Sequence, residues 1–261
     1  MKVSAVVVSH GHAAELRSSL PALVPQVDET VVVANVPGSV EGTSEDVRVL
    51  ENSRQLTLSA LVPQVDETLV VANVPGSVEN IPEGVRVLEN PRPLTLSANV
   101  NLGIAATSGA YVLAANPDAI PEPGAVAALV AFADEHPRCA IAGPQMRWPE
   151  GTWQPSRRRF PTVRGTLVRR TPLRRYRSPY ESQSDHYQLD ERPTEPIQAD
   201  WMLGAFLLMR RTMLDEIGGW DAGYRHYCED IDLCYRAMQA GWERWYVPDA
   251  VVTHDLSLIH I

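Results

Sequence analysis

The sequence predicts an α/β fold in which a Rossmann-like sheet carries flanking helices in a single domain. Three observations carry this prediction. Short continuous apolar runs, the first from Val3 to Ser9, have the length and composition of strands buried on both faces. Segments with helical apolar spacing alternate with these runs, as β-α-β units require. The chain has 261 residues, 44% of them hydrophobic, which suffices for one large core.

The elements follow in order. Val3 to Ser9 is a strand opening into the polar residues His10, Gly11 and His12. It could be mistaken for a secretion signal, but its apolar stretch is too short. Ala13 to Val24 has helical spacing at Leu16, Leu20 and Leu23. Glu29 to Ala34 and Val47 to Leu50 read as the next strands. Asn99 to Ser108 reads as a helix, and Ala110 to Ala115 as a strand ended by Asn116-Pro117-Asp118. Pro121, Pro123 and Gly124 open a helix from Ala125 to Glu135, and Cys139 to Gly143 is a further strand. Residues 150–195 are rich in Arg and Pro with little periodicity, so an irregular excursion is expected there. Order resumes over Ala199 to Arg210. Gly218-Gly219 makes a turn, Glu229 to Gln239 is a helix closed by Gly241, and Trp245 to Val252 is a last strand. In the acidic helix, Ile231, Cys234, Tyr235 and Met238 are expected to face the core, leaving Glu229 and Asp230 toward a cleft.

One feature interrupts this order. Residues 23–60 and 61–98 form a tandem repeat of 38 residues that differ at seven positions. Two such similar copies read as a recent duplication rather than as a repeat architecture. A compact sheet offers one slot for the unit. One copy is therefore expected in the sheet, and the other at an edge or extruded. The final residues, Leu256 to Ile261, read as a foreign tail resembling a translated sequencing adapter, so the domain is expected to span residues 1–255.

Composition narrows the function. The net charge of −9 argues against a general nucleic-acid binder. No apolar run reaches the ~18 residues of a membrane span, so a cytoplasmic setting is expected. Cys139, Cys228 and Cys234 lack metal-ligand spacing and read as small buried hydrophobes. Against the acidic background, Arg157 to Arg177 holds nine arginines and no acid. Such a segment can attract an anionic membrane surface, at ~1 kcal/mol per basic residue. It can equally be a solvated loop.

Four motifs can carry chemistry, each with an ordinary structural explanation beside it. Ser9 and His10 end a strand where ligands of open α/β sheets bind, though every strand must end somewhere. Asp118, after Asn116-Pro117, can hold Mg²⁺ or Mn²⁺ against a diphosphate; Asn-Pro is also a common turn. Glu229-Asp230-Ile231-Asp232 can supply a general base. Acids at a helix start are also favoured by ~0.3–1 kcal/mol on electrostatic grounds alone. His254, following the last strand, can be a metal ligand or a satisfied side chain.

Taken in this order, the segments resemble the family 2 glycosyltransferases of GT-A fold, in their bacterial rhamnosyltransferase-like branch. The supporting stretches are Val100-Asn101-Leu102-Gly103-Ile104, Ala115-Asn116-Pro117-Asp118-Ala119, Asp200-Trp201-Met202-Leu203-Gly204-Ala205-Phe206, Ile217-Gly218-Gly219-Trp220-Asp221 and the acidic helix. The resemblance covers nearly the whole chain apart from one repeat copy and the tail. It implies a mixed sheet and an inverting, metal-dependent sugar transfer. The donor would be a nucleotide-diphosphate sugar, rhamnose being one option, and the acceptor a cell-envelope glycan or a polyprenyl-diphosphate-linked acceptor. By match, Ser9, His10, Asn35, Asn73, Asn101, Gly103 and Asn116 would meet the nucleotide sugar. Asp118 and His254 would hold the metal, with Asp230 as general base assisted by Glu229. Trp201, Gly204 and Ala205 would line the acceptor side. Many relatives carry Asp-Asn after the second strand, where this chain has Ala34-Asn35 and Ala72-Asn73, so its hold on the base differs. The Arg157 to Arg177 segment would give peripheral contact with the inner face of the plasma membrane. Two alternatives stay open: a nucleotidyltransferase, for which the Gly-rich basic loop after the first strand is missing, and a non-catalytic nucleotide- or glycan-binding domain.

Overall fold

The computed structural model describes residues 3–9, 29–34, 67–72, 85–89, 94–116, 119–163, 192–224 and 227–254. The expected helix Ala13 to Val24, the expected strand Val47 to Leu50, and His10, Asn35, Asn73, Asp118 and the tail from Leu256 lie outside them.

The architecture is a mixed sheet covered on both faces by helices. Strands β1 (Val3–Ser9), β2 (Glu29–Ala34), β3 (Glu67–Ala72) and β4 (Val85–Glu89) run parallel and adjacent in that order. On the other side of β1 lies β5 (Tyr111–Ala115), also parallel. Antiparallel to β5 runs β12 (Phe206–Arg210), followed by β7 (Cys139–Arg147) and the long β13 (Glu243–His254). Short strands β6 (Ala119–Pro121), β8 (Trp153–Gln154) and β10 (Ile197–Gln198) edge this half. A separate ladder joins β9 (Arg157–Arg158) to β11 (Trp201–Met202).

Strand periodicity divides the core between two faces. Along β5, Tyr111, Leu113 and Ala115 join helix α2 (Ala125–Glu135), which contributes Val126 and Leu129. Val112 and Ala114 turn the opposite way. There they meet α1 (Leu96–Ala106), α3 (Arg211–Ile217) and α4 (Glu229–Gln239) through Val100, Met213, Leu214, Leu233 and Cys234. Each large aliphatic chain enclosed this way contributes about 1.5–3 kcal/mol. At one point α1 approaches the sheet unusually closely. A Cβ built on Gly103 would lie 2.6 Å from a methyl of Val6, so only glycine admits this contact.

The sequence misplaces some boundaries. Helix α1 starts at Leu96, not Asn99, because the Thr95 side chain accepts from the Ala98 N–H and caps it. Strand β13 runs to His254, since β6 pairs with its end. Residues 150–163 are not wholly irregular, as β8 and β9 lie within them.

Both copies of the repeat reach the sheet. Among the described residues the first copy supplies β2, and the second supplies β3 and the edge strand β4, so the second copy extends the sheet outward from β2. The strands align without offset, Glu29 beside Glu67 and Ala34 beside Ala72. The two strands differ only at Val31 and Leu69, so the sequence does not favour one copy over the other for a place in the ladder.

Candidate active site

One end of the sheet gathers the chemistry. Strands β1 and β5 finish there at Ser9 and Ala115, and antiparallel β12 begins there, with Phe206 opposite Ala115. The Asn116 N–H donates to the Ala205 carbonyl at 2.7 Å, tying Asn116 to the start of β12. On the same edge β13 ends, with His254 registered opposite Ala119.

Helix α4 brings the acids. Leu233, Cys234 and Ala237 bury its inner face. This corrects the expected face: Tyr235 is exposed, its ring meeting Phe160 edge-on at 5.6 Å, and Ile231 and Met238 are only partly buried. Rotation of the helix puts Glu229 on the 229-233-237 stripe, so Glu229 is buried rather than open to a cleft. Among the described residues its Oε2 is enclosed without a hydrogen-bond partner. Asp230 is half-buried. Its Oδ2 accepts from the Gly204 N–H at 3.1 Å, and its Oδ1 from the Ile231 N–H at 2.9 Å. Burial pushes its carboxyl from the ordinary 3.8 up to about 6. The Gly204 hydrogen bond opposes this rise, and the neighbouring Glu229 adds to it. The chain enters α4 through Tyr227 (φ 67) and Cys228 (φ 70), both left-handed without being glycine. That conformation costs roughly 1–2 kcal/mol per residue, strain stored beside the acids. Cys228 is exposed, unlike the buried Cys139 and Cys234, so it is not the core residue the sequence suggests.

The residues expected on an acceptor side divide. A Cβ on Gly204 would sit 3.3 Å from that of Asp230, so the absent side chain lets the acid approach the backbone. Ala205 is buried beneath. Trp201 is also buried, its indole N–H donating to the Arg159 carbonyl at 2.9 Å, and it braces the β9–β11 ladder from behind. Arg157 is buried in that ladder too. It is therefore no part of a solvent-facing basic surface, and residues 164–177 lie outside the described residues.

Of the residues expected at the nucleotide sugar, Gly103 packs against Val6 as described above. Asn101 has both ends of its amide engaged. Its Nδ2 donates to the Trp220 carbonyl at 2.7 Å, and its Oδ1 accepts from the Trp220 N–H at 2.9 Å.

His254 is buried, with Nδ1 3.0 Å from Gln154 Oε1. An amide oxygen only accepts, so Nδ1 carries the proton and Nε2 presents a lone pair. This is the tautomer a metal would need, oriented by a neighbouring amide. No group of three or more His, Cys, Asp or Glu forms a metal cage among the described residues. Mg²⁺ and Mn²⁺ sites commonly take only one or two protein ligands, so the buried His254 fits as one of them. Sequence reasoning missed Gln154, which lies in a two-residue strand within an aperiodic stretch, and the pairing of Asn101 with Trp220, 119 residues apart.

The fold is a mixed, mostly parallel α/β sheet with a carboxyl raised to about 6 near the ends of β1 and β5. The sequence model described as "Glycosyltransferase like family 2" matches residues 52–256, and the chain belongs to that family. Over 147 residues it is 36% identical to the N-acetylglucosaminyl-diphospho-decaprenol L-rhamnosyltransferase of Mycobacterium tuberculosis, covering 55% of this chain and 46% of that protein. It is 49% identical over 49 residues to rhamnosyltransferase WbbL of Escherichia coli (strain K12), 19% of each chain. The match thus spans less than half the length of these curated relatives. The crystal structure of GalNAc-T7 with UDP, GalNAc and Mn²⁺ superposes with a TM-score of 0.64 at 16% identity, over 99% of this chain and 44% of that one. The fold is GT-A. No helix among the described residues is long and apolar enough to cross a membrane.

Proposed function

We propose that this chain is an inverting glycosyltransferase moving rhamnose, or a similar sugar, from a nucleoside-diphosphate donor to a polyprenyl-diphosphate-linked or other cell-envelope glycan. The single observation that carries the catalytic reading is Asp230, a carboxyl raised to about 6 and held by the Gly204 N–H where the strand ends converge. The rhamnosyl and lipid-linked parts rest on the names of the mycobacterial and E. coli relatives.

In this mechanism Asp230 takes the proton of the acceptor hydroxyl as its oxygen attacks the anomeric carbon. The bond from that carbon to the diphosphate breaks on the opposite face, and the nucleoside diphosphate leaves with the electron pair. A base with a pKa near 6 is ionised at neutral pH yet retains more proton affinity than an ordinary carboxylate. Glu229, buried beside it, would assist as the second acid of the pair. Asp118 and His254 would hold Mg²⁺ or Mn²⁺, which when bound offsets the charge developing on the leaving diphosphate. Ser9, His10, Asn35 or Asn73, and Asn116 would meet the nucleotide and sugar, and Gly204 and Ala205 the acceptor. A lipid-linked acceptor requires work at the cytoplasmic face of the membrane, toward which the arginines after Arg158 would be drawn.

The test is a panel of UDP-, dTDP- and GDP-sugars with Mn²⁺ or Mg²⁺ and a synthetic polyprenyl-diphosphate N-acetylglucosamine acceptor. Product with inverted anomeric configuration from one donor is expected. Nucleotide binding without transfer or donor hydrolysis under any of these conditions would leave a binding domain instead.

A further inference from the structure

The geometry points to Asn101 as a positioning residue that fixes the acid-bearing half of the site to the donor-side helix. This inference rests on the reading of Asp230 as the base.

The segment from Gly218 to Tyr227 leads from α3 into α4 and contains no regular element among its described residues. Gly218 and Gly219 turn it with φ of 79° and 72°. Beyond that turn, the segment is tied to α1 at two points. Asn101 grips both backbone groups of Trp220, at 2.7 and 2.9 Å, as a neighbouring strand would. Thr95, the cap of α1, adds a long contact of 3.4 Å to the Ala222 carbonyl. The grip is so close that a Cβ on Gly219 would lie 2.6 Å from Asn101 Oδ1.

Trp220 transmits the position. Its indole is buried, and its outer ring edge lies 3.5 Å from where a Gly204 Cβ would stand. Gly204 in turn donates to Asp230. Asn101 therefore touches neither acid, yet it sets the wall against which Asp230 is held. Only an amide can do this, since one donor and one acceptor must lie in one plane. Helix α1 packs through Gly103 and Val6 onto β1, whose end faces the donor. The amide thereby fixes the spacing between donor and base.

The experiment compares Asn101→Ala, Asn101→Asp and Asp230→Asn with the parent chain, on whichever panel donor is turned over. Kinetics are read together with titration by the corresponding nucleoside diphosphate. Displacement of a reacting group by ~1 Å can cost ~100-fold in rate, so kcat of Asn101→Ala is expected to fall by about that factor. Donor KM and nucleotide affinity should stay within about threefold, well below the loss in rate. Asn101→Asp keeps the bond from the Trp220 N–H but repels the Trp220 carbonyl. It should show the same split if Asn101→Ala proves too unstable to assay. A folded Asn101 variant with parental kcat overturns the inference while leaving the base intact. A rise in donor KM matching the loss in kcat/KM overturns it in favour of direct donor contact. Full activity in Asp230→Asn removes the base and this inference together.

Discussion

Replacing Asp230 by Asn should remove activity and, above neutral pH, stabilise the fold. The carboxyl rises from 3.8 to about 6 on folding, chiefly through burial. The native state therefore holds the proton more tightly than the unfolded chain, and stability falls as pH rises between about 4 and about 6, remaining lowered above. At ~1.4 kcal/mol per pH unit, the ionised acid costs up to about 3 kcal/mol. Water reaches a half-buried carboxyl, so the effective cost is nearer 2 kcal/mol. Asn keeps an oxygen for the Gly204 N–H but offers fewer acceptor sites, a loss of about 1 kcal/mol. A net gain of about 1 kcal/mol remains at about pH 8, or ~2–4 °C in Tm for a domain of this size. At about pH 4.5 the parent acid is protonated and the gain should vanish or reverse. Urea unfolding of both proteins at the two pH values measures this directly, and transfer should drop by ~10²–10⁴. An equal stability difference at both pH values would refute the buried-acid reasoning. Undiminished transfer would refute the role.

Other substitutions probe separate parts. Gly103→Val should cost about 1–3 kcal/mol through overlap with Val6, seen as a lower urea midpoint, because helix and sheet cannot part without opening the core. Gln154→Leu should leave the fold intact but raise the Mn²⁺ concentration for half-maximal transfer by ~10–100-fold, since His254 loses the partner that fixes its tautomer. An unchanged metal requirement would separate His254 from the ion. Gly204→Ala, meeting Asp230 at 3.3 Å, should lower kcat with little loss of stability, measured by kinetics and thermal unfolding in parallel. Excision of residues 61–98 should yield a folded chain with cooperative unfolding, since one strand–connection unit remains to pair with β1; loss of cooperative unfolding would show the second copy to be indispensable.

The sheet was legible because its strands are continuous apolar runs, and β5 and β12 need little beyond that pattern to be placed. The acidic helix was legible in extent but not in rotation. Its spacing admits Tyr235 or Leu233 on the buried side, and only the packing of Trp220, Met213 and the sheet selects Leu233. Asp230 was singled out through its order among motifs, while the burial that raises its pKa and the opposing bond from Gly204, 26 residues away, left no local sign. Gln154 and the grip of Asn101 on Trp220 left no local signature. Each is a pairing across the fold between residues common in many other roles. The repeat was plain in the sequence, but its placement depended on whether a sheet accepts the same strand twice.

That the sheet does so makes the 38-residue period a unit of growth. A stretch that starts and stops at the same point of a strand–connection cycle brings the chain back pointing the same way, as the parallel alignment of Glu29–Ala34 with Glu67–Ala72 requires. Whole multiples keep everything downstream in phase, whereas a fraction would reverse or displace it. The growth also falls entirely on the wing beyond β2. The half holding Asp230, Gly204 and His254 lies across β1 and is assembled from strands that the insertion does not separate. The sheet is thus widened without parting the strands around Asp230, Gly204 and His254, while Asn35 and its copy Asn73 belong to the widened wing.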